Sequence, residues 1–163
     1  MGYINGNTSS FMPIAHMQFA IESPDQPDVI ALIADLDAFQ DSLYPPESRY
    51  AMDVSSLKQS NVRFVVARSA DGKATGCGAI VLYDGYGELK RMYVQPASRG
   101  KGVARVILAA LEGAAKAAGV SSFKLESGPN QPEALAFYSR NGYARCERYG
   151  HYRDDPNSVF MAK

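Results

Sequence analysis

The residues best suited to chemistry form a short run of glycines and basic side chains, Arg99-Gly100-Lys101-Gly102-Val103-Ala104, with Arg105 directly after it. The first N–H groups of a helix have no intrahelical acceptors, and the helix dipole adds about half a positive charge there, so phosphate oxygens bind well. Gly100 and Gly102 carry no side chain that would hold such a group away, and Ala104 is small. The run therefore predicts a local anion site at the start of a helix.

Other interpretations of this run stay open when it is taken alone. A mononucleotide loop needs GxxxxGK followed by Ser or Thr, and a dinucleotide fingerprint needs GxGxxG near the first strand. Neither pattern is present. A glycine that simply begins a helix, or a site for an unrelated phosphate, would fit the same letters.

Two segments together resemble a known family. Arg99, Gly102 and Ala104 match the signature of Arg or Gln, two variable residues, Gly, one variable residue, and Gly or Ala. About thirty residues on, Asn130 to Tyr138 followed by Asn141-Gly142-Tyr143 is similar to the second motif of that family. The family is the GNAT superfamily of N-acetyltransferases, and the resemblance covers roughly residues 17–163.

The resemblance implies that acetyl-CoA is the co-substrate and that a primary amine attacks its thioester directly in a ternary complex. A catalytically silent acyl-CoA-binding or sensing module would use the same phosphate site and is the alternative. The implied cofactor-binding residues are those of the strand before the loop, those of the loop and helix start, and two later residues: Met92, Tyr93, Val94, Arg99, Gly100, Lys101, Gly102, Val103, Ala104, Arg105, Asn130 and Tyr138. Gly102→Val is expected to weaken CoA binding with little loss of fold.

Candidate catalytic groups follow from the same resemblance. Tyr138 stands where the family has its general acid, and a phenol with a pKa of about 10 keeps its proton until a thiolate forms. Glu88 is the first candidate for the general base, and Glu126 is the reserve. The alternatives are aromatic packing for Tyr138 and an exposed carboxylate facing Lys90 for Glu88. Asn130 also fits a helix N-cap in a capping box with Glu133.

The acceptor is expected between the loops 44–50 and 149–155, which combine aromatic and charged residues. Glu47 could bind an ammonium, and Arg49 or Arg153 a carboxylate. Solvated loop surface is the alternative for these residues. This composition suits a small polar amine or a peptide N-terminus, with Tyr44, Glu47, Arg49 and Tyr152 as the substrate-binding candidates.

The elements that must position these residues follow from periodicity and turn residues. A strand at 17–21 precedes a helix that stops at Pro45-Pro46, and a short helix capped by Asp53 follows. Three antiparallel strands run from Val62 to Val94, joined by tight Asp-Gly turns. A helix over 102–118, a strand over 122–126, a helix over 130–141 and two closing strands complete the order. The sequence predicts an α/β, GNAT-like, mixed and mostly antiparallel sheet of about seven strands with a central parallel pair and about four helices.

Composition narrows the remaining classes. Seventeen Lys and Arg balance seventeen Asp and Glu, which argues against a nucleic-acid-binding surface. We expect a flexible leader at 1–15 and a single domain at 16–163, without a membrane span. Cys77 and Cys146 fit reduced thiols of a cytoplasmic protein. His16 and His151 lack metal-ligand spacing, so no metal is expected. A homodimer is left open.

Overall fold

The computed structural model describes residues 14–163, which form a seven-stranded mixed sheet flanked by four α-helices. The strands lie in the order β1-β2-β3-β4-β5-β7-β6, and all neighbours are antiparallel except β4 and β5. This confirms the predicted fold class. The strands are Gln18–Ile21 (β1), Val62–Arg68 (β2), Ala74–Tyr83 (β3), Tyr86–Val94 (β4), Phe123–Ser127 (β5), Ala144–Arg145 (β6) and Val159–Ala162 (β7), and the helices are Pro27–Asp41 (α1), Val54–Leu57 (α2), Val103–Ala117 (α3) and Pro132–Arg140 (α4).

Apolar side chains cover both faces of the sheet and form two cores. One core joins Ile107 and Leu111 of α3 to Leu89 of β4 and Leu125 of β5. The other joins buried residues of α1, such as Leu32, to β2 and β3. Because side chains alternate along a strand, the leucines of β4 and β5 face α3 and their charged neighbours face α1.

β4 contains one residue more than β3 along part of their pairing. Cys77 of β3 pairs with Tyr93 of β4. Two residues further along β3, Ala79 pairs with Lys90, which is three residues back along β4. Such a β-bulge leaves the extra residue unpaired and bends the strand. Arg91 lies in this bulge with φ of 56°, a left-handed conformation that costs a residue with a side chain free energy.

The parallel strands β4 and β5 pair over a short length and then separate. Their register runs from Gly87 and Phe123 to Leu89 and Leu125. Beyond this point β4 continues to Val94 and β5 to Ser127, without further pairing between them in the described part of the chain. A gap therefore opens between the two strands, with backbone N–H and C=O groups on both sides that a ligand can use.

The predicted start of α4 is wrong. The sequence placed Asn130 as the N-cap of a helix beginning there, but α4 begins at Pro132 with Gln131 as its N-cap residue and no side-chain cap. Proline suits the first helical position because it lacks the N–H that would be unsatisfied there. Asn130 instead contacts the chain after α1: its N–H donates to Tyr44 Oη (3.2 Å) and its amide to the Leu43 carbonyl (3.3 Å).

The chain outside the sheet adds three observations. The predicted leader lies outside the described residues except for Ile14 and the residue after it, which belong to a short 3-10 turn, Ile14–His16. Both cysteines are free: Cys77 is buried and Cys146 is exposed. Across residues 14–163, no helix has the length and apolar character to cross a membrane.

Candidate active site

A cavity of about 110 Å³ opens where β4 and β5 separate. We call it the central cavity. Its walls come from both strands, from the chain between α1 and α2, and from α4. Leu89, Lys90, Arg91, Met92, Leu125, Glu126, Tyr138, Tyr44, Arg49 and Tyr50 are among the residues that line it.

Tyr138 lies on the α4 side of the central cavity. It is buried, with edge-on ring contacts to Phe137 (centroids 5.2 Å apart) and Tyr143 (5.8 Å). Burial raises the pKa of Tyr138 above its ordinary value, so the hydroxyl stays protonated at neutral pH. Aromatic packing and a cavity-lining hydroxyl are therefore both present at this residue.

Glu126 is the carboxylate that lines the central cavity. It accepts a hydrogen bond from Ser158 Oγ (3.1 Å). Burial raises the pKa of Glu126 to about 7, although Lys90 and this hydrogen bond act in the opposite direction. A carboxylate that titrates near neutral pH can accept a proton there and release it again.

The position of Glu88 differs from both predictions made for it, a general base at the reaction site and an exposed carboxylate facing Lys90. It is only 4% exposed, so it is not a solvated strand-end carboxylate, but it does face Lys90, with Oε1 3.7 Å from Nζ. It does not line the central cavity. Instead it lines a second cavity of about 570 Å³ together with Tyr83, Tyr86 and Tyr152. We call this the aromatic cavity.

Lys90 lies between the two cavities and lines both. Its ammonium donates to the Tyr50 carbonyl (2.9 Å) and to Tyr152 Oη (2.6 Å). Burial first, and then the Glu88 carboxylate, raise the pKa of Tyr152 and of Tyr149. The predicted substrate residue Tyr152 thus lines the aromatic cavity and binds the Lys90 ammonium that lies between the two cavities.

The two predicted acceptor loops contact each other directly. Asp155 accepts hydrogen bonds from Ser48 Oγ (3.2 Å) and Tyr50 Oη (3.0 Å), and the Tyr50 and Tyr152 rings meet edge-on at 5.0 Å. Glu47 lines neither cavity and is exposed. The loops therefore form one joined wall over the sheet.

Tyr44 links this wall to the β5 end. Its buried ring packs so closely against Gly128 that a Cβ there would overlap the phenol oxygen. Its Oη accepts the Asn130 N–H, and burial raises its pKa. Among the predicted site residues, the structure brings together Tyr44, Arg49, Met92 and Tyr138 around the central cavity.

Arg91 was not among the predicted site residues, although it lines the central cavity. Its Nη2 is 2.9 Å from Asp37 Oδ1 of α1, and Arg49 Nη2 is 3.0 Å from the same oxygen. Arg49 also pairs with Asp41. The signal in the sequence was a pair of consecutive basic residues, Lys90 and Arg91, inside a strand that otherwise reads as core.

The predicted anion site lies at the N-terminus of α3. Gly100 and Gly102 have φ of 75° and 83°, and within the described residues no side chain caps the helix start. Arg99 Nε donates to the Val94 carbonyl (2.8 Å) with its guanidinium over the Tyr93 ring, and Lys101 Nζ donates to the Ala97 carbonyl (3.1 Å). The open helix start fits a pyrophosphate.

This geometry corrects one expectation. Gly102 has a backbone conformation that L side chains rarely adopt, and a β-branched residue is especially unfavourable there. Gly102→Val would therefore destabilise the fold as well as crowd the anion site, contrary to the small loss of fold expected from the sequence.

No three His, Cys, Asp or Glu side chains in residues 14–163 are grouped as a metal site would require. The site combines a carboxylate and a phenol in one cavity, an open helix start and a gap between two parallel strands. Comparison with known proteins decides among the families that could use it. Residues 30–143 match the model of the acetyltransferase (GNAT) family.

The chain belongs to this family. An IAA acetyltransferase from Azospirillum brasilense is 43% identical over 150 residues, which cover 91% of this chain and 97% of that protein. A putative acyl-CoA N-acyltransferase from Klebsiella pneumoniae is 41% identical with a TM-score of 0.81, covering 91% and 97% of the two chains. The present chain, a GNAT acyltransferase, also shares its fold with a PaiA N-acetyltransferase from Thermoplasma acidophilum in complex with coenzyme A. The two are 18% identical with a TM-score of 0.69, and the match covers 90% of this chain and 98% of that one.

Proposed function

We propose that this GNAT protein transfers the acetyl group of acetyl-CoA to a primary amine, by direct attack of the amine on the thioester in a ternary complex. The observation that carries the proposal is the central cavity itself. It is lined both by the predicted cofactor residues Met92 and Tyr138 and by the predicted acceptor residues Tyr44 and Arg49. Both reactants can therefore meet at one point between β4 and β5.

The open start of α3 supports binding of the acetyl-CoA pyrophosphate, with Arg99, Lys101 and Arg105 supplying positive charge nearby. From there the pantetheine arm would follow the unpaired edge of β4 from Val94 towards Met92. A backbone N–H on this edge can donate to the oxyanion that forms when the amine adds to the thioester carbonyl.

Glu126 is the proposed general base. Of the two candidate carboxylates, it lines the same cavity as Tyr138, whereas Glu88 lies beyond Lys90 in the aromatic cavity. Glu126 would accept the proton that the ammonium loses on binding. When the C–S bond breaks, Tyr138 would donate its phenolic proton to the thiolate. The nitrogen of the adduct would lose its second proton to solvent, and solvent would restore the proton of Tyr138.

Tyr138→Phe tests the proposed acid. We expect kcat to fall about 100-fold or more while the dissociation constant of acetyl-CoA changes little, because a general acid contributes at least this much and the ring contacts are kept. Release of CoA thiol over a panel of amines gives the rate, and titration gives the affinity. IAA should be assayed beside the amines, since a 43% identical relative carries that name.

Tyr143→Phe is the matched control. Tyr143 Oη donates to Glu112 Oε1 (2.7 Å), away from the central cavity. Its loss should cost about 1–3 kcal/mol of unfolding free energy and leave kcat within about threefold. Unchanged turnover in Tyr138→Phe would remove Tyr138 as the acid. Tight acetyl-CoA binding without turnover of any amine would favour the silent binding module instead.

A further inference from the structure

The guanidinium of Arg91 has too few partners for a buried charged group. Its side chain is only 4% exposed, and within residues 14–163 it donates only to Asp37, by Nη2. Nε is buried without a hydrogen-bond partner. A guanidinium has five N–H donors, and buried donors without acceptors cost free energy. The unmet donors belong to a residue that lines the central cavity.

The charges around the central cavity point to the same kind of ligand. Three basic residues, Lys90, Arg49 and Arg91, line it, against one carboxylate, Glu126. Lys90 already has two acceptors, Tyr50 O and Tyr152 Oη. Asp37 and Asp41, which balance the arginines, do not line the cavity, and their side chains are 40% and 67% exposed. Lys90 also faces the buried Glu88 carboxylate (3.7 Å), so the donors left without acceptors belong to Arg91, and a plain alkylammonium offers them none.

We infer that the acceptor is an amine that also carries a carboxylate, as an amino acid does. Arg91 would bind the carboxylate through its planar donors, with Arg49 beside it, because this geometry matches a carboxylate bidentately. The amine would then face Glu126. This inference rests on the proposed function and narrows it.

The size of the cavity agrees with such a ligand. About 110 Å³ is well below the roughly 300–1,000 Å³ of sites for drug-sized ligands. A small zwitterion fits this volume better than a peptide, whose C-terminal carboxylate lies far from its N-terminus. The inference therefore selects the small-molecule acceptor from the two predicted classes.

The first experiment uses the wild-type enzyme with matched acceptors. The kcat/KM of α-, β- and γ-amino acids is compared with that of the corresponding carboxamides, over a pH series that corrects for the different amine pKa values. We expect the best acid to exceed its amide by about 10- to 100-fold, as for a charge-assisted hydrogen-bonded pair. Amides that react as well as all of the acids would overturn the inference.

Variants then locate the carboxylate site. Arg91→Gln and Arg49→Gln should each lower the ratio of acid to amide kcat/KM about tenfold or more, because each removes a charge that would bind the carboxylate but not the amide. Arg148→Gln is the control, because Arg148 is exposed and lines neither cavity. If Arg91→Gln fails to fold, Arg91→Lys keeps the charge without the planar fork and carries the same expectation. If the folded variants at Arg91 and at Arg49 both kept the wild-type ratio of acid to amide kcat/KM, the assignment of the carboxylate site would be wrong.

A binding measurement separates the two proposals. Butyrate carries the carboxylate but no amine, and butyramide is its neutral match. Butyrate should compete with the amino acid acceptor and protect wild type from thermal unfolding more than butyramide does. Equal effects of butyrate and butyramide would contradict the carboxylate site and leave the proposed acetyl transfer untouched. Absence of turnover with every amine, despite bound acetyl-CoA, would instead overturn the proposed acetyl transfer.

Discussion

At the scale of single residues, the two candidate bases differ in the cavity that each one lines. Glu88 and Glu126 lie on the same face of neighbouring strands, and nothing in the sequence ranked the second above the first. In the structure the two carboxylates face different groups. Glu88 faces Lys90 and lines the aromatic cavity, whereas Glu126 lines the central cavity. The position of Tyr138 in the central cavity was predictable, because it follows from the resemblance of one helix to a known motif. The position of Glu126 there was not, since it depends on where two strands separate.

Glu126→Gln should lower the reaction rate and, at high pH, raise the stability of the fold. The raised pKa means that the fold favours the neutral carboxyl. Its stabilising contribution is complete below the ordinary value of 4.5 and is lost as pH rises through about 7. The unfolding free energy of the glutamine variant should therefore exceed that of wild type by about 3 kcal/mol at pH 8, with little difference at pH 4.5. Denaturant unfolding at the two pH values measures it.

The same variant should lose the rise of kcat/KM with pH that is centred near pH 7. Turnover at pH 8 should fall about 100-fold. Glu88→Gln is the matched comparison, with the same chemical change on the other side of Lys90, and should keep the rise. A rise that disappears in Glu88→Gln and survives in Glu126→Gln would reverse the assignment of the base.

At the scale of elements, the helix start and the strand gap contribute separate parts of the site. The sequence predicts α3 well, because a glycine start and an apolar stripe define it, and α3 runs over Val103–Ala117. The sequence does not reveal the bulge in β4, because no turn residue marks it. It also misplaces the cap of α4, since Asn130 is a good cap by type and only the preference of Pro132 for the first helical position excludes it.

Arg105→Glu should change helix stability and cofactor affinity in opposite directions. A negative charge in the first turn of α3 interacts favourably with the helix dipole, by about 0.3–1 kcal/mol, but repels a pyrophosphate at the same place. We expect the dissociation constant of CoA to rise about 5- to 10-fold or more, with no loss of thermal stability. Arg148→Glu makes the same change of charge at an exposed distant site and should leave the affinity nearly unchanged. Equal losses in both would indicate only a general charge effect.

At the scale of the whole molecule, the loops 44–50 and 149–155 come together and form one joined wall over the sheet. Element order was enough to predict the sheet, and the resemblance of Arg99 to Ala104 and of Asn130 to Tyr143 to known motifs predicted the family. The joined wall over the sheet was not predictable, because Ser48 and Tyr50 meet Asp155 from more than 100 positions away. The cytoplasmic location and the homodimer stay predictions.

Asp155→Ala should loosen this wall without reaching the cofactor. We expect the KM of the acceptor to rise about 3- to 10-fold, while the KM of acetyl-CoA stays within about twofold, because two hydrogen bonds between the loops are lost. Initial rates with each substrate varied in turn give both constants. Asp154→Ala removes an exposed carboxylate from the adjacent position and should change neither. A parallel rise in both KM values after Asp155→Ala would show that the loops do not act on the acceptor alone.

The bulge in β4 has a consequence for insertions and deletions. On either side of it, Lys90 pairs with Ala79 and Tyr93 with Cys77. Removing Arg91 would leave Met92 opposite Gly78 and both of these pairs in place, so the ladder would become regular without moving its neighbours to the other face. The sheet thus folds around a residue that its own pairing does not require. A chain shortened by this one residue would keep its architecture and lose the guanidinium in the central cavity.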